Sequence, residues 1–367
     1  MSQEPVTFKD YILGEWVEEY QEGLMSRRDL FRRVLQVTGS AAGAAAFLSA
    51  SGCTATPTPT AAPAKPAAAP SPAGAQPTAA APAKPAAVAT APAAAASPTL
   101  AAPAKPAIVA SPSATASPTR AVGSAGVTVS PTDSSIQVAQ VTYKSGDADI
   151  RAYLARPAGN GPFPAVIISH ENRGTSEHFR DVARRYAKAG YVGLAPDLMS
   201  REGGTEALGD QVPAMLSNIP ADRFATDMQA GLDYLKTQAF VAPQRLGATG
   251  YCFGGGVIWR LAFKSKDLKA AAPYYGPPPN DLKDQAGNVT AAMFVVLASR
   301  DQRINDMVPP FEEELKKQGK TVQVKIYPDA DHAFFNDTQP AGPRYNAQAA
   351  QQAWRDTLEW FEKYLKA

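Results

Sequence analysis

A doubly wound α/β domain with a mostly parallel sheet is predicted for residues 133–367 of the 367-residue chain. Three observations predict it. Ala165-Val166-Ile167-Ile168-Ser169 is an unbroken apolar run, as expected of a strand buried on both faces. Runs of this kind alternate with stretches whose apolar residues recur at helical spacing, the pattern of parallel strands joined by helical crossovers. Finally, Gly250-Tyr251-Cys252-Phe253-Gly254 follows the apolar segment Leu246-Gly247-Ala248-Thr249 and runs into Gly255-Gly256-Val257-Ile258-Trp259, which reads as strand, sharp turn, helix.

Residues 136–143 and 150–154 flank Gly146-Asp147 and read as a hairpin that opens the sheet. After the buried strand at 165–169, Phe179, Val182, Ala183 and Tyr186 mark a helix, and Tyr191-Val192-Gly193-Leu194-Ala195 the next strand. Phe224, Met228, Leu232 and Leu235 mark a second helix, leading into the strand that ends at Gly250. Strands are then expected near 269–272, 293–298 and 322–327, and helices near 307–318 and 347–365, the last with Trp354, Leu358, Phe361 and Leu365 on one face.

The chain before residue 133 has a different composition. Residues 54–130 are almost entirely Ala, Pro, Ser and Thr, too poor in large apolar groups to offset the entropy of ordering, and an Ala-Pro-Ala-Lys-Pro-Ala segment recurs around Lys65, Lys84 and Lys105. Residues 54–132 are therefore expected to be a disordered, semi-rigid tether. Residues 1–53 precede it: a polar, mixed-charge preamble to Met25, then Ser26-Arg27-Arg28-Asp29-Leu30-Phe31-Arg32-Arg33 before an Ala/Gly-rich apolar run. This order of basic and apolar regions resembles a twin-arginine export signal. Ala50-Ser51-Gly52-Cys53 resembles a bacterial lipoprotein box, departing from it at Ala50, so Cys53 is a candidate lipidation site; plain cleavage and an uncleaved anchor are the alternatives. The implied location is outside the cytoplasm, with contact to a membrane only through the signal or a lipid.

A formal charge of +2 carries no nucleic-acid footprint, and three histidines with only two cysteines, Cys53 and Cys252, favour neither a metal site nor a disulfide. No cofactor is expected. The chemistry instead converges on Cys252. Flanking glycines let the backbone turn tightly enough to lift that side chain above the sheet, and the following helix aims N–H groups and the positive end of its dipole at the sulfur. In parallel sheets reactive groups collect beyond the carboxyl ends of strands. Asp301 follows the strand at 293–298 and His332 the strand at 322–327, in the order nucleophile, acid, histidine typical of an α/β-hydrolase chain. His332 would exchange a proton with Cys252, and Asp301 would fix its tautomer. Asp329 and Asp331 compete as the acid but lie too close to His332 in sequence to face its ring.

Gly-Tyr-Cys-Phe-Gly-Gly at 250–255, Tyr274-Tyr275-Gly276, His332-Ala333-Phe334-Phe335-Asn336 and His170-Glu171-Asn172-Arg173-Gly174 together resemble the dienelactone hydrolase family across most of residues 136–365. The resemblance implies an α/β-hydrolase fold and a hydrolase of carboxylic esters or lactones that forms a thioester on Cys252. It implies that Glu171 keeps or takes the thiol proton and that the backbone N–H groups of Asn172 and Phe253 bind the oxyanion. Tyr275 and Asn336 are candidate substrate contacts. Namesake enzymes carry an arginine where this chain has Asn336, so a neutral or differently charged substrate is expected, unless Arg173, Arg201, Arg223 or Arg344 supplies the charge. A small-molecule ester or lactone is the expected partner, and a monomer the expected state. The competing reading is a surface-displayed binding protein of the same fold without turnover.

Overall fold

A computed structural model describes residues 8–53, 129–338 and 344–366. The tether expected over 54–132 lies outside the described residues except for 129–132. Those four already belong to the domain: the Val129 N–H donates to Asp181 Oδ1 at 2.7 Å and its carbonyl accepts from Arg184 Nε at 2.6 Å.

Strand β1 (Ile136–Ser145) and strand β2 (Ala148–Pro157) form the antiparallel hairpin, with Ser145 opposite Ala148 across the turn at Gly146. Then come β3 (Phe163–Ser169), α4 (Glu177–Lys188), β4 (Val192–Pro196), two short helices α5 (Thr205–Leu208) and α6 (Val212–Ser217), and the long helix α7 (Ala221–Lys236). They are followed by β5 (Val241–Tyr251), α8 (Phe253–Lys264), β6 (Leu268–Tyr274), β7 (Ala292–Ala298), α9 (Gln302–Asn305), α10 (Pro309–Lys317), β8 (Val322–Tyr327) and α11 (Ala347–Phe361). The eight strands form one sheet in the order β1-β2-β4-β3-β5-β6-β7-β8, parallel from β4 onward. Every residue of β7 and all but the first of β3 are buried, which is why these strands are continuously apolar rather than alternating. Helices α7 and α8 pack together on the sheet, and α4 meets α11 where the Tyr186 and Trp354 rings lie 4.7 Å apart.

Three further helices precede the tether: α1 (Phe8–Gln21), α2 (Arg27–Thr38) and α3 (Ala41–Ala50). The apolar leader is broken between α2 and α3 by Gly39, which takes φ 71° at the end of α2, and by Ser40, whose hydroxyl accepts from Gly43 N–H at 3.0 Å. Among the described residues, no helix is long and apolar enough to cross a membrane. Cys53 is a buried free thiol. The preamble, read from sequence only as polar and mixed in charge, is a helix docked on the α/β domain. Tyr11, Ile12, Leu13, Trp16 and Tyr20 of α1 are each at most 5% exposed. An isolated helix of 14 residues is marginal in water, so docking is what makes α1 helical. Each large apolar side chain it buries contributes about 1.5–3 kcal/mol toward that docking.

Candidate active site

The elbow geometry follows from two close approaches. A Cβ on Gly250 would lie 2.3 Å from Gly254 O, and one on Gly254 would lie 2.4 Å from His170 O, so neither position tolerates a side chain. Between them Cys252 is forced to φ 57°, ψ −123° at the N-terminus of α8. Among the described non-glycine residues only Cys252, Tyr275, Asp329 and Ala333 have positive φ. Cys252, Tyr275 and Ala333 lie at or beside the site, where surrounding packing holds strained backbone.

Parallel pairing brings the remaining groups alongside. Ser169 at the end of β3 sits in register with Gly250 of β5, which sets the turn carrying Glu171 and Asn172 next to the elbow. Asp301 follows β7 and caps α9, accepting from Ile304 N–H at 3.3 Å. The adjacent strand β8 leads to His332, whose Nδ1 lies 2.6 Å from Asp301 Oδ2. Asp329 and Asp331 instead face Arg300, at 3.3 and 3.4 Å.

Glu171 is buried and held from two sides: Asn336 Nδ2 donates to Oε2 at 2.8 Å and the Tyr275 hydroxyl donates to Oε1 at 3.5 Å. Asn336 and Tyr275, read as substrate contacts, are thus holders of a carboxylate in this structure. His170, to which the sequence assigned no role, braces the same turn. Its Nδ1–H donates to Glu171 O at 2.7 Å and its Nε2 accepts from Leu198 N–H at 3.3 Å, and burial lowers its pKa, as the neutral tautomer these bonds require.

Beyond the sheet, α1 completes the surroundings of the thiol. The Tyr11 hydroxyl donates to Cys252 Sγ at 3.2 Å and lies 3.4 Å from His332 Nε2. Glu15 Oε2 is 3.3 Å from the same Nε2 and 3.8 Å from Sγ. Arg303 anchors this face: it pairs with Glu15, reaches Glu18 Oε1 at 2.7 Å, and lies over the Tyr11 ring at 4.8 Å. Burial pushes the Cys252 thiol up, and Glu15 adds to the rise while His332 opposes it. Burial alone would lower His332, but Glu15, Asp301 and Cys252 together hold the imidazole well above its ordinary range. Asp301 is held below the usual carboxylate range because His332 and Arg303 outweigh the effect of burial. Donor atoms of Glu15, Cys252 and His332 lie within 4.8 Å of one another. Arg303 also pairs with Glu15, and Asp301 holds the far nitrogen of His332.

Residues 150–365 match the dienelactone hydrolase family. The chain belongs to that family, and it is a hydrolase. A protein of Methylorubrum extorquens provisionally named carboxymethylenebutenolidase is 32% identical over 253 residues, 66% of this chain and 86% of its own length. An Escherichia coli protein of the same provisional name is 32% identical over 65% of this chain and 92% of its own. The crystal structure of a provisionally named dienelactone hydrolase from Klebsiella pneumoniae superposes with a TM-score of 0.57 at 29% identity, covering 62% of this chain and 99% of its own.

In this dienelactone hydrolase family member a cavity of about 420 Å³ opens beside the thiol, lined by Cys252, His332, Glu171, Asn172 and Asn336 and by Glu15 and Glu19 of α1. Arg173 and Arg344 also line it. Of the other two arginines considered from sequence, Arg201 is tied to Asp227 at 2.8 Å and Arg223 to Glu202 at 2.5 Å, and neither lines the cavity.

Proposed function

We propose that the chain hydrolyses small carboxylic esters or lactones through a thioester on Cys252. One observation carries the reading: a cysteine at a strained elbow shares a site with a histidine whose far nitrogen lies 2.6 Å from a buried carboxylate. In this mechanism the Cys252 proton passes to His332 as sulfur attacks the carbonyl carbon, and the backbone N–H groups of Asn172 and Phe253 hold the oxyanion. Collapse of the tetrahedral intermediate expels the alkoxide, which takes the proton from His332. His332 then deprotonates water, water adds to the thioester, and the acid and free thiol are released. Asp301 keeps Nδ1 protonated and offsets the charge on the ring. Glu171 disfavours a resting thiolate beside it.

The test is mass spectrometry of the chain mixed with small esters and lactones. An acyl adduct on the Cys252 peptide is expected; ligand binding with no adduct and no hydrolysis would instead support the binding-protein reading.

The same proposal places the protein outside the cytoplasm, supported by Arg27 and Arg28, which are exposed on the first turn of α2. Replacing both with lysine keeps the charge but removes the guanidinium groups, and accumulation of precursor inside the cell is the expected result. Normal export of that variant would refute the twin-arginine reading. A Cys53→Ala variant that stays membrane-bound would rule out a lipid as the sole anchor.

A further inference from the structure

We propose that α1 is a helical inhibitor held in cis, and that the arginine collar around Cys252 is its receptor. The proposal rests on the reading of Cys252 as nucleophile and goes beyond it.

The first ground is position. A carbonyl carbon under attack must come within about 3–3.5 Å of sulfur, and the Tyr11 hydroxyl already stands 3.2 Å from Sγ. Cys252 is 3% exposed and His332 4%. The second is proton occupancy. The atom that must receive the thiol proton, His332 Nε2, lies 3.3 Å from the Glu15 carboxylate, so an imidazolium is stabilised before any substrate arrives. The third is complementarity. Arg303 pairs with Glu15 and Glu18, Arg344 Nε reaches Glu22 Oε2 at 2.7 Å, and Arg173 reaches Glu19 at 3.7 Å. The acids of α1, with Glu22 just beyond it, thus meet Arg303 of α9 and Arg173 and Arg344 of two loops, while Tyr11 is buried against Cys252.

The covalent arrangement makes the contact breakable. Glu22, Gly23 and Leu24 between α1 and α2 are exposed. A cut anywhere from there to Cys53 leaves α1 joined to the domain by no peptide chain. A helix of 14 residues that owes its order to docking then becomes a separate, weakly structured peptide. Removal of the N-terminal leader would in this way free the wall of the cavity at Cys252, where Tyr11 and Glu15 now stand.

The experiment places a specific protease sequence between Gly23 and Leu24 of the full chain and compares cut with uncut protein. Two rates are read: hydrolysis of p-nitrophenyl acetate, and alkylation of Cys252 by iodoacetamide followed on its own peptide by mass spectrometry. A closed state whose open form is populated at about 0.1–10% predicts that both rates rise on the order of ten- to a thousandfold after cutting. Synthetic peptide of residues 8–23 should restore the slow rates, and the same peptide carrying Tyr11→Ala and Glu15→Gln should not. The same double substitution in the uncut chain should raise both rates without cutting. Equal alkylation and equal hydrolysis before and after peptide release would overturn the inhibitor while leaving the catalytic reading intact. Faster alkylation with no hydrolysis in any form would uphold the cover and sink the catalytic reading instead.

Discussion

Cys252 lies between two carboxylates of different origin. Glu171 comes from the end of β3, is fixed by Tyr275 and Asn336, and belongs to the domain for as long as the domain is folded. Glu15 comes from α1, is fixed by Arg303, and is present only while that helix is docked. Both raise the cost of a thiolate, and only Glu15 also approaches the Nε2 of His332. One set of contacts builds the site and the other covers it. Strand ends and tight turns can build reactive geometry from neighbouring segments, whereas the cover is recruited from more than two hundred positions away in sequence.

The comparison breaks outright if the sheet side does not hold the chemistry. Cys252→Ala should abolish ester hydrolysis in the cut chain with the fold retained by circular dichroism, a loss on the order of 10⁶-fold in turnover. Substantial residual activity would remove Cys252 from the mechanism. Asp301→Asn comes next. It cannot hold His332 in the required tautomer, and kcat should fall on the order of 10⁴-fold. Asp329→Asn, which faces Arg300 at the surface, should leave kcat unchanged, and equal losses in the two variants would undo the assignment of the acid.

What was legible in the sequence divides along the same line. The continuous apolar strands, the glycines that permit the elbow, and the chain order of Cys252, Asp301 and His332 are consequences of short-range sterics and of where strands end. They could be read without knowing which segments touch. The cover could not. Ile12, Trp16 and Tyr20 do repeat at helical spacing, with Glu15, Glu18, Glu19 and Glu22 on an adjoining stripe, but the charges made the segment look solvated. Their arginine partners are far away in sequence: Arg303 is 288 residues from Glu15, and Arg344 is 322 from Glu22. Asn336 shows the same limit within the domain. Its position after the histidine was readable, but its hydrogen bond to Glu171, 165 residues away, was not.

A smaller effect sharpens the contrast between the two carboxylates. In the uncut chain burial raises the Cys252 thiol first and Glu15 second, so alkylation should reach half its maximal rate above the pH expected of an ordinary cysteine. Glu15→Gln removes one negative charge next to sulfur, which favours the thiolate and should move that midpoint down. The same substitution removes the leading support of the His332 imidazolium, so the pKa of the ring should also fall, as read by NMR titration of the imidazole. Glu171→Gln should lower the thiol midpoint without cutting or loosening α1, because Glu171 acts from the sheet side. A midpoint unmoved by Glu15→Gln would mean that α1 covers the thiol sterically alone.

The smallest expected effect concerns substrate charge. Asn336 supplies no charge, and in the uncut chain Arg173 and Arg344 are paired with Glu19 and Glu22. A neutral ester or lactone is therefore the expected preference, measured as kcat/KM for a carboxylate-bearing lactone against its methyl ester. A clear preference of the uncut chain for the anion would sink that expectation. Glu19→Gln with Glu22→Gln frees both arginines at the cavity wall. A charged hydrogen bond contributes about 1.5–3 kcal/mol, roughly ten- to a hundredfold, which caps the shift toward the anion that each arginine can produce. The Arg173 side chain is 46% exposed and already well solvated, so Arg344, at 12%, should account for most of it. Adding Arg344→Gln to the double variant separates the two: the preference should return toward the neutral substrate, and a preference that stays with the anion would assign the charge to Arg173.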